Sequence, residues 1–290
     1  MAQAAALLVS ATLFAIMFAL GLSLAGDKLN LVRERPALFA RVLLGTCVLV
    51  PLLALLLLKL PLSAALTPSA RFAIALMAIC PSAPLALRKA GQATGSRQLA
   101  SQLQVSAAVL AILSIPLLAD VFTQTYGISG WDIGPREVAL QISKAQLLPL
   151  ACGMLMRQWR PGWAQRWEGL FDKLANGLLL LLIVTVLVKT GHLLVPFLSR
   201  SALALGFMAV MVVASLAIGH LLAGSDPEER TTTALVTSMR NPGLALLLAS
   251  TYASGMEGLK LAILSYLLMT VLLSVPYLRW RKTLSSGVGA

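Results

Sequence analysis

Ile79-Cys80-Pro81-Ser82-Ala83-Pro84 and Met239-Arg240-Asn241-Pro242-Gly243 each interrupt a long apolar segment near its middle, one in each half of the chain. Proline carries no amide donor and glycine weakens a helix, so Pro81, Pro84, Pro242 and Gly243 mark helix breaks that leave backbone polar groups unpaired. At membrane depth such groups are tolerated only beside protein or a water-filled cavity. Two matched breaks therefore predict a binding site near the bilayer midplane of a secondary transporter.

The membrane setting follows from composition. Of 290 residues, 58% are hydrophobic and 12% charged, which excludes an ordinary soluble globular domain. Apolar runs of about 20 residues, enough to cross the hydrocarbon, recur with short polar connectors and leave no room for a soluble catalytic domain. The runs predict an all-α polytopic protein of about nine transmembrane helices, at 5–25, 37–59, 71–92, 98–120, 137–157, 170–190, 201–223, 229–252 and 257–278. Ala2-Gln3-Ala4 supplies no basic leader region, so the first apolar stretch reads as a retained helix. Cys47, Cys80 and Cys152 fall inside apolar runs without metal-ligand spacing, and neither a disulfide frame nor a metal site is expected. His192 and His220 have no carboxylate at ligand spacing. No Ser/His/Asp, paired-carboxylate or HExxH arrangement falls at membrane depth, so the chain reads as no enzyme and needs no cofactor.

A net charge of +12 raises the question of nucleic acid, but the basic residues are scattered through connectors with no aromatic-interleaved stripe. They are better explained by orientation. With the N-terminus outside, the inner connectors hold Lys28, Arg33, Arg35, Arg88, Lys89, Arg97, Arg157, Arg160, Arg166, Lys173, Arg230, Arg279, Arg281 and Lys282. The outer ends hold only Lys59, Arg71, Arg136, Lys189, Arg200 and Lys260, and the positive-inside rule selects N-out and C-in. The Ala/Leu/Arg-rich composition points to a bacterial cytoplasmic membrane. Trp159, Trp163 and Trp167, spaced by four among Arg157, Arg160 and Arg166, predict an amphipathic stretch anchored at the inner interface.

The breaks fall in the third and eighth helices, so helices 1–4 and 6–9 match as two sets separated by helix 5. An odd number of intervening crossings makes the second set an inverted repeat of the first. The corresponding division is 1–122 for the first repeat, 123–168 for the linking helix and interfacial segment, and 169–290 for the second repeat. Pro84-Leu85-Ala86-Leu87 echoes Pro242-Gly243-Leu244-Ala245-Leu246.

Four short motifs in order resemble those of the bile acid:sodium symporter family over nearly the whole chain. Met17-Phe18-Ala19-Leu20-Gly21-Leu22-Ser23-Leu24, followed by Arg35-Pro36, resembles its early helix and loop. Cys80-Pro81-Ser82-Ala83 resembles its CPGG, Leu147-Leu148-Pro149 with Gly153 its LLPxxxG, and Arg240-Asn241-Pro242-Gly243-Leu244-Ala245 its QNSGLA. The resemblance implies a core domain built on two crossing, unwound helices, a panel domain that rocks against it, and a nine-helix form starting at the second helix of longer members. It also implies transport of an organic anion, such as a bile acid, sulfated steroid, pantothenate-like compound or 2-oxo acid, commonly with sodium.

The sodium ligands do not carry over. The family's glutamate four residues before the glutamine is Val236 here, the serine and asparagine of its TASN give way to Pro84-Leu85-Ala86-Leu87, and the glutamine itself is Arg240. Sodium needs several oxygen ligands and is repelled by a guanidinium, so the two inherited sites are expected to be dead and transport sodium-independent. Arg240 would supply permanently the charge that sodium supplies conditionally, its five donors holding unwound carbonyls and half-helix C-terminal ends. A purely scaffolding Arg240 is the competing reading, and a sodium site relocated to Thr237, Ser238 and Asn241 is another. Asn241, Thr237, Ser238, Ser82 and Gln104 are candidates to line the site, with helix capping the alternative for Ser82 and Asn241. Arg88 and Lys89 either edge the inner vestibule or merely follow the positive-inside bias. A ligand sensor of the same fold that no longer transports is the rival outside the transporter class.

Overall fold

The computed structural model describes residues 2–24, 31–81, 83, 86, 89–90, 94–126 and 135–287. These residues form helices and their connections, with no strand among the described residues. In chain order the helices are α1 (Ala2–Ser23), α2 (Pro36–Lys59), α3 (Pro68–Ile79), α4 (Arg97–Tyr126), α5 (135–159), α6 (Pro161–Arg200), α7 (Ala202–Leu222), α8 (Pro227–Ser238), α9 (Pro242–Tyr252) and α10 (Leu259–Gly287). Four of them among the described residues are long and apolar enough to cross a membrane, namely α2, α4, α7 and α10 over Leu259–Leu284.

Proline starts many of these helices because its fixed φ suits the first turn and its missing N–H is not needed there. Pro36, Pro68, Pro161, Pro227 and Pro242 all occupy that place. Side-chain caps complete three starts: Thr67 Oγ1 accepts from Ala70 N, Asp226 Oδ1 from Glu228 N and Glu229 N, and Asn241 Oδ1 from Leu244 N. The acidic group ahead of α8 is thus a helix cap, with Glu229 also paired to Arg35.

Inside α2 and α5 proline has a different effect. Each helix widens into a single π turn, at Gly45–Leu49 and Ser143–Leu147, and each turn is followed within two residues by a proline, Pro51 and Pro149. A proline ring clashes with the carbonyl four residues back, and a π turn relieves the clash by inserting one residue. The amide of Val50 then donates to Gly45 O, and that of Leu148 to Ser143 O. Thr46 O and Lys144 O are left facing Pro51 and Pro149, which have no hydrogen to give.

Two packing groups result. α1 lies along α5 and α6, while α2, α3, α4, α7, α8, α9 and α10 pack around one another. The α1/α5 contact is backbone against backbone, since a Cβ on Gly21 would stand 2.3 Å from Leu150 O and one on Gly153 2.3 Å from Phe18 O. Both glycines of the sequence motifs are therefore there for close approach. The two groups meet where α4 packs on α5 and where α1 crosses the start of α9, with Leu13 against Gly243.

The structure corrects one boundary. The expected interfacial segment and a separate helix at 170–190 are a single helix, α6, whose 40 residues extend about 60 Å. The helix runs unbroken from Pro161 to Arg200, with Gly169, Gly177 and Pro196 accommodated in its interior, and Arg157 of α5 pairs with Glu168 at 3.1 Å to fix its start. Trp159, Trp163 and Trp167 are all exposed around that start.

Candidate functional site

The two breaks lie against each other. α3 stops at Cys80 and α8 at Met239, both in extended conformation with nearly equal dihedrals (φ −88°, ψ 94° and φ −81°, ψ 94°). Ala83 N donates to Met239 O at 2.8 Å, and Asn241 N donates to Cys80 O at 3.2 Å. The unwound segments thus satisfy part of each other's backbone, which is what a break at membrane depth requires.

What remains is a set of carbonyls that prolines have orphaned. Met77 O would bond residue 81 in a continued helix, and that residue is Pro81. Thr46 O faces Pro51 across the π turn of α2. Arg240 meets both: Nε donates to Met77 O at 3.0 Å, Nη1 to Thr46 O at 3.0 Å and to Thr46 Oγ1 at 2.8 Å. Nη2 donates to Ala78 O, and Nη1 lies 3.4 Å from Thr237 O. The side chain is 1% exposed, and no carboxylate pairs with it among the described residues.

A buried guanidinium without a counter-ion is costly unless something else supplies negative potential. Here the C-terminal ends of α3 and α8 converge on it, each carrying roughly half a negative charge in its free carbonyls. Two such ends balance one guanidinium.

On the opposite flank of the crossing lies a cavity of about 200 Å³. Its walls are Thr12, Leu13 and Ile16 of α1, Leu179 and Ile183 of α6, and Leu267 and Val271 of α10, closed at one end by Ala83, Asn241, Pro242 and Gly243 of the breaks. The lining is apolar except for two residues. Thr12 Oγ1 is engaged with Leu8 O at 2.7 Å. Asn241, 1% exposed, uses Oδ1 to cap α9, and its Nδ2 has no partner among the described residues. The cavity therefore ends beside Asn241 and the first turn of α9, where the helix presents partial positive charge.

The residues expected from sequence divide accordingly. Arg240 and Thr237 belong to the carbonyl cluster, Thr237 through its main chain, while its Oγ1 is buried without a partner. Asn241, Pro242 and Gly243 reach the cavity. Pro81 is buried beside the carbonyl it orphans. Ser238 Oγ bonds back to Leu235 O at 3.4 Å and does not line the cavity. Gln104 of α4 is buried with neither amide atom partnered, and it too lies off the cavity wall. Ser82, Pro84 and Arg88 lie outside the described residues. Thr46 was not anticipated. Its signal was present in Pro51 five residues later, the spacing at which a π turn leaves a carbonyl without a donor.

An all-helical apolar chain with two broken helices clasped at a buried cation is a polytopic integral membrane protein. It belongs to the sodium bile acid symporter family, whose model matches residues 10–197, and it is thus a transporter of the bile acid symporter kind. The match runs from α1 through most of α6 and includes the first break but not the second. No curated protein matches the chain.

Proposed function

We propose that this protein is a secondary transporter that moves a small organic anion across the membrane by alternating access, with Arg240 standing in place of a coupling sodium ion. The observation that carries the reading is the Arg240 cluster. A sodium ion at a helix crossing is held by carbonyls and half-helix C-terminal ends, and here those groups are already taken by a guanidinium that cannot leave. Sodium would have to displace a fixed positive charge to bind there.

Substrate is assigned to the cavity on the other flank. The first turn of α9 offers positive potential, which suits an anion, and the apolar walls suit an organic body. Arg240 is a positioning residue in this account: it holds the breaks that hold Asn241, and all three of its nitrogens are engaged with them or with Thr46. In this reading the chain crosses nine times as an inverted repeat, N-out and C-in, with α3 belonging to one broken crossing and α8 and α9 to the other. The α1, α5 and α6 group is the panel, and its movement against the remaining helices opens the cavity to one side and then the other. The Trp/Arg start of α6 anchors at the inner interface.

Proteoliposome flux tests the reading. Labelled organic anions are to be taken up or exchanged equally in sodium and in choline buffer, and Asn241→Leu is to abolish flux while the protein stays folded. Flux that requires an inward sodium gradient would overturn the built-in cation and restore a relocated sodium site. Anion binding without flux would replace the transporter by a sensor.

A further inference from the structure

Three aromatic rings meet where α7 and α10 end, and two arginines border them with no acid paired to either among the described residues. Tyr277, Trp280 and Arg281 share one face of α10 through their three- and four-residue spacing. His220 reaches them from the last turn of α7. Ring centroids are 5.5 Å apart for His220 and Trp280, 5.8 Å for Tyr277 and Trp280, and 5.9 Å for His220 and Tyr277. His220 Nδ1 lies 2.9 Å from the Tyr277 hydroxyl, which donates to Arg230 O at 3.3 Å and so ties the rings to α8. The Arg281 guanidinium lies 5.5 Å from the centre of the Trp280 ring.

The arginines are anchored but not neutralised. Arg281, 5% exposed, gives Nε to Thr231 Oγ1 at 3.0 Å and Nη2 to Pro227 O at 2.8 Å. Arg230 gives Nε to Gly224 O, and neither of its Nη nitrogens has a partner among the described residues. The acids at the start of α8 are committed elsewhere. Asp226 caps the helix, Glu229 pairs with Arg35, and both line with Glu228 a hollow that includes none of the three rings. Neutral oxygens thus hold both guanidiniums in place, which leaves two full positive charges beside the rings. Depth decides what meets them. α7 and α10 are both long and apolar enough to cross a membrane. Ala202 to His220 is about 27 Å of helix and Leu259 to Trp280 about 32 Å, close to the roughly 30 Å of the hydrocarbon. The rings therefore lie at a headgroup boundary, the depth that Tyr and Trp favour. Trp280 is 47% exposed there, and Leu221 beside His220 is 77% exposed.

We propose that this corner is a binding site for an anionic phospholipid, its phosphodiester against Arg230 and in the field of Arg281, its glycerol and first acyl carbons on His220, Tyr277 and Trp280. A headgroup with no charge besides its phosphate, as in phosphatidylglycerol, fits two unpaired guanidiniums; the ammonium of phosphatidylcholine would be brought up against them. Arg230 lies on α8, which ends at the Met239 break, so a bound lipid fastens that half-helix to α7 and α10. The placement needs only that α7 and α10 cross the bilayer, and it stands apart from the assignment of the cavity to an anion.

The test uses the full chain with Trp131, Trp159, Trp163 and Trp167 changed to phenylalanine, so that Trp280 is the one remaining tryptophan. It is reconstituted into phosphatidylcholine bilayers and titrated with phosphatidylglycerol or phosphatidylcholine brominated on the acyl carbons nearest the ester. Each arginine beside an anionic headgroup is worth about a fivefold preference, so half-maximal quenching of Trp280 is expected at about thirtyfold less of the brominated phosphatidylglycerol. Arg230→Gln is expected to narrow that gap to about fivefold, and Arg160→Gln, between α5 and α6, to leave it unchanged. Equal quenching by the two lipids overturns the site and leaves the three rings as an interfacial belt. A gap that survives Arg230→Gln overturns the phosphate contact, and one narrowed as much by Arg160→Gln overturns a local site in favour of general surface charge. Relief of the quenching by glycerol phosphate in the water phase overturns the lipid in favour of a soluble phosphate. If the single-tryptophan chain fails to fold, native mass spectrometry of the wild type counts the bound lipids directly, and retention of phosphatidylcholine equal to that of phosphatidylglycerol overturns the site.

Discussion

The two flanks of the crossing start from the same event, a helix stopped at proline, and are finished in opposite ways. On one flank the C-terminal ends of α3 and α8 converge, and Arg240 supplies donors to Met77 O, Ala78 O and Thr237 O while main-chain amides supply Cys80 O and Met239 O. On the other flank the start of α9 faces a cavity, and there a donor is left over, Asn241 Nδ2. The first flank is closed by the protein's own side chain; the second is open. The difference teaches that broken helices supply negative and positive ends in equal measure, and that a transporter is free to close one with its own residue and leave the other for cargo.

The largest way to break that comparison is Arg240→Met. It strips donors from Thr46 O, Met77 O and Ala78 O together, at about 1–3 kcal/mol for each buried orphan. Detergent-solubilised variant is expected to melt far below wild type or fail to yield folded protein. Full wild-type stability would mean that the closed flank has another donor.

Gly21→Leu attacks the cavity flank from behind. A Cβ there meets Leu150 O at 2.3 Å, so α1 must separate from α5. Overpacking of this kind costs about 1–3 kcal/mol, and because α1 forms one wall of the cavity, anion binding is expected to fall with it while the Arg240 cluster is untouched. Calorimetric binding beside a melting curve reads both.

Asn241→Ser separates capping from recognition. Serine still accepts from the first turn of α9, so stability is expected to change by only a few tenths of a kcal/mol. The free Nδ2 is lost, and a hydrogen bond to a charged group contributes about 1.5–3 kcal/mol, so anion affinity is expected to drop by roughly tenfold or more. Equal affinity would move the anion elsewhere. The smallest effect is Thr46→Val, which keeps the carbonyl but loses the 2.8 Å bond to Oγ1. A loss of about 1 kcal/mol is expected, with unaltered anion binding.

The breaks were legible in sequence because proline and glycine act locally: Pro81, Pro242 and Gly243 stand where α3 and α8 end and α9 begins. Arg240 announced itself as an arginine inside an apolar run, which requires interior partners. Its partners were less legible. Thr46 comes from a π turn in α2, far off in sequence, visible only once Pro51 is read as a lost donor for the carbonyl five residues back. The apolar walls on α1, α6 and α10 carried no signal, since Leu and Ile in a membrane helix serve lipid, core and cavity alike. Ser238 and Gln104 show the limit of counting polar residues: both are polar and buried, yet neither reaches the cavity. The continuity of α6 is hidden because polarity at 162–173 reads as a connector, although no residue there forbids a helix once Pro161 has started it.

The most direct test of the central claim is thermal stability of the purified protein in sodium and in choline, with and without a panel of organic anions, for wild type and Arg240→Gln. The account predicts that wild type melts at the same temperature in both salts, is stabilised by an anion equally in both, and loses that stabilisation in Arg240→Gln as the breaks and Asn241 lose their support. A wild type that needs sodium for its stability or for its anion shift would contradict it.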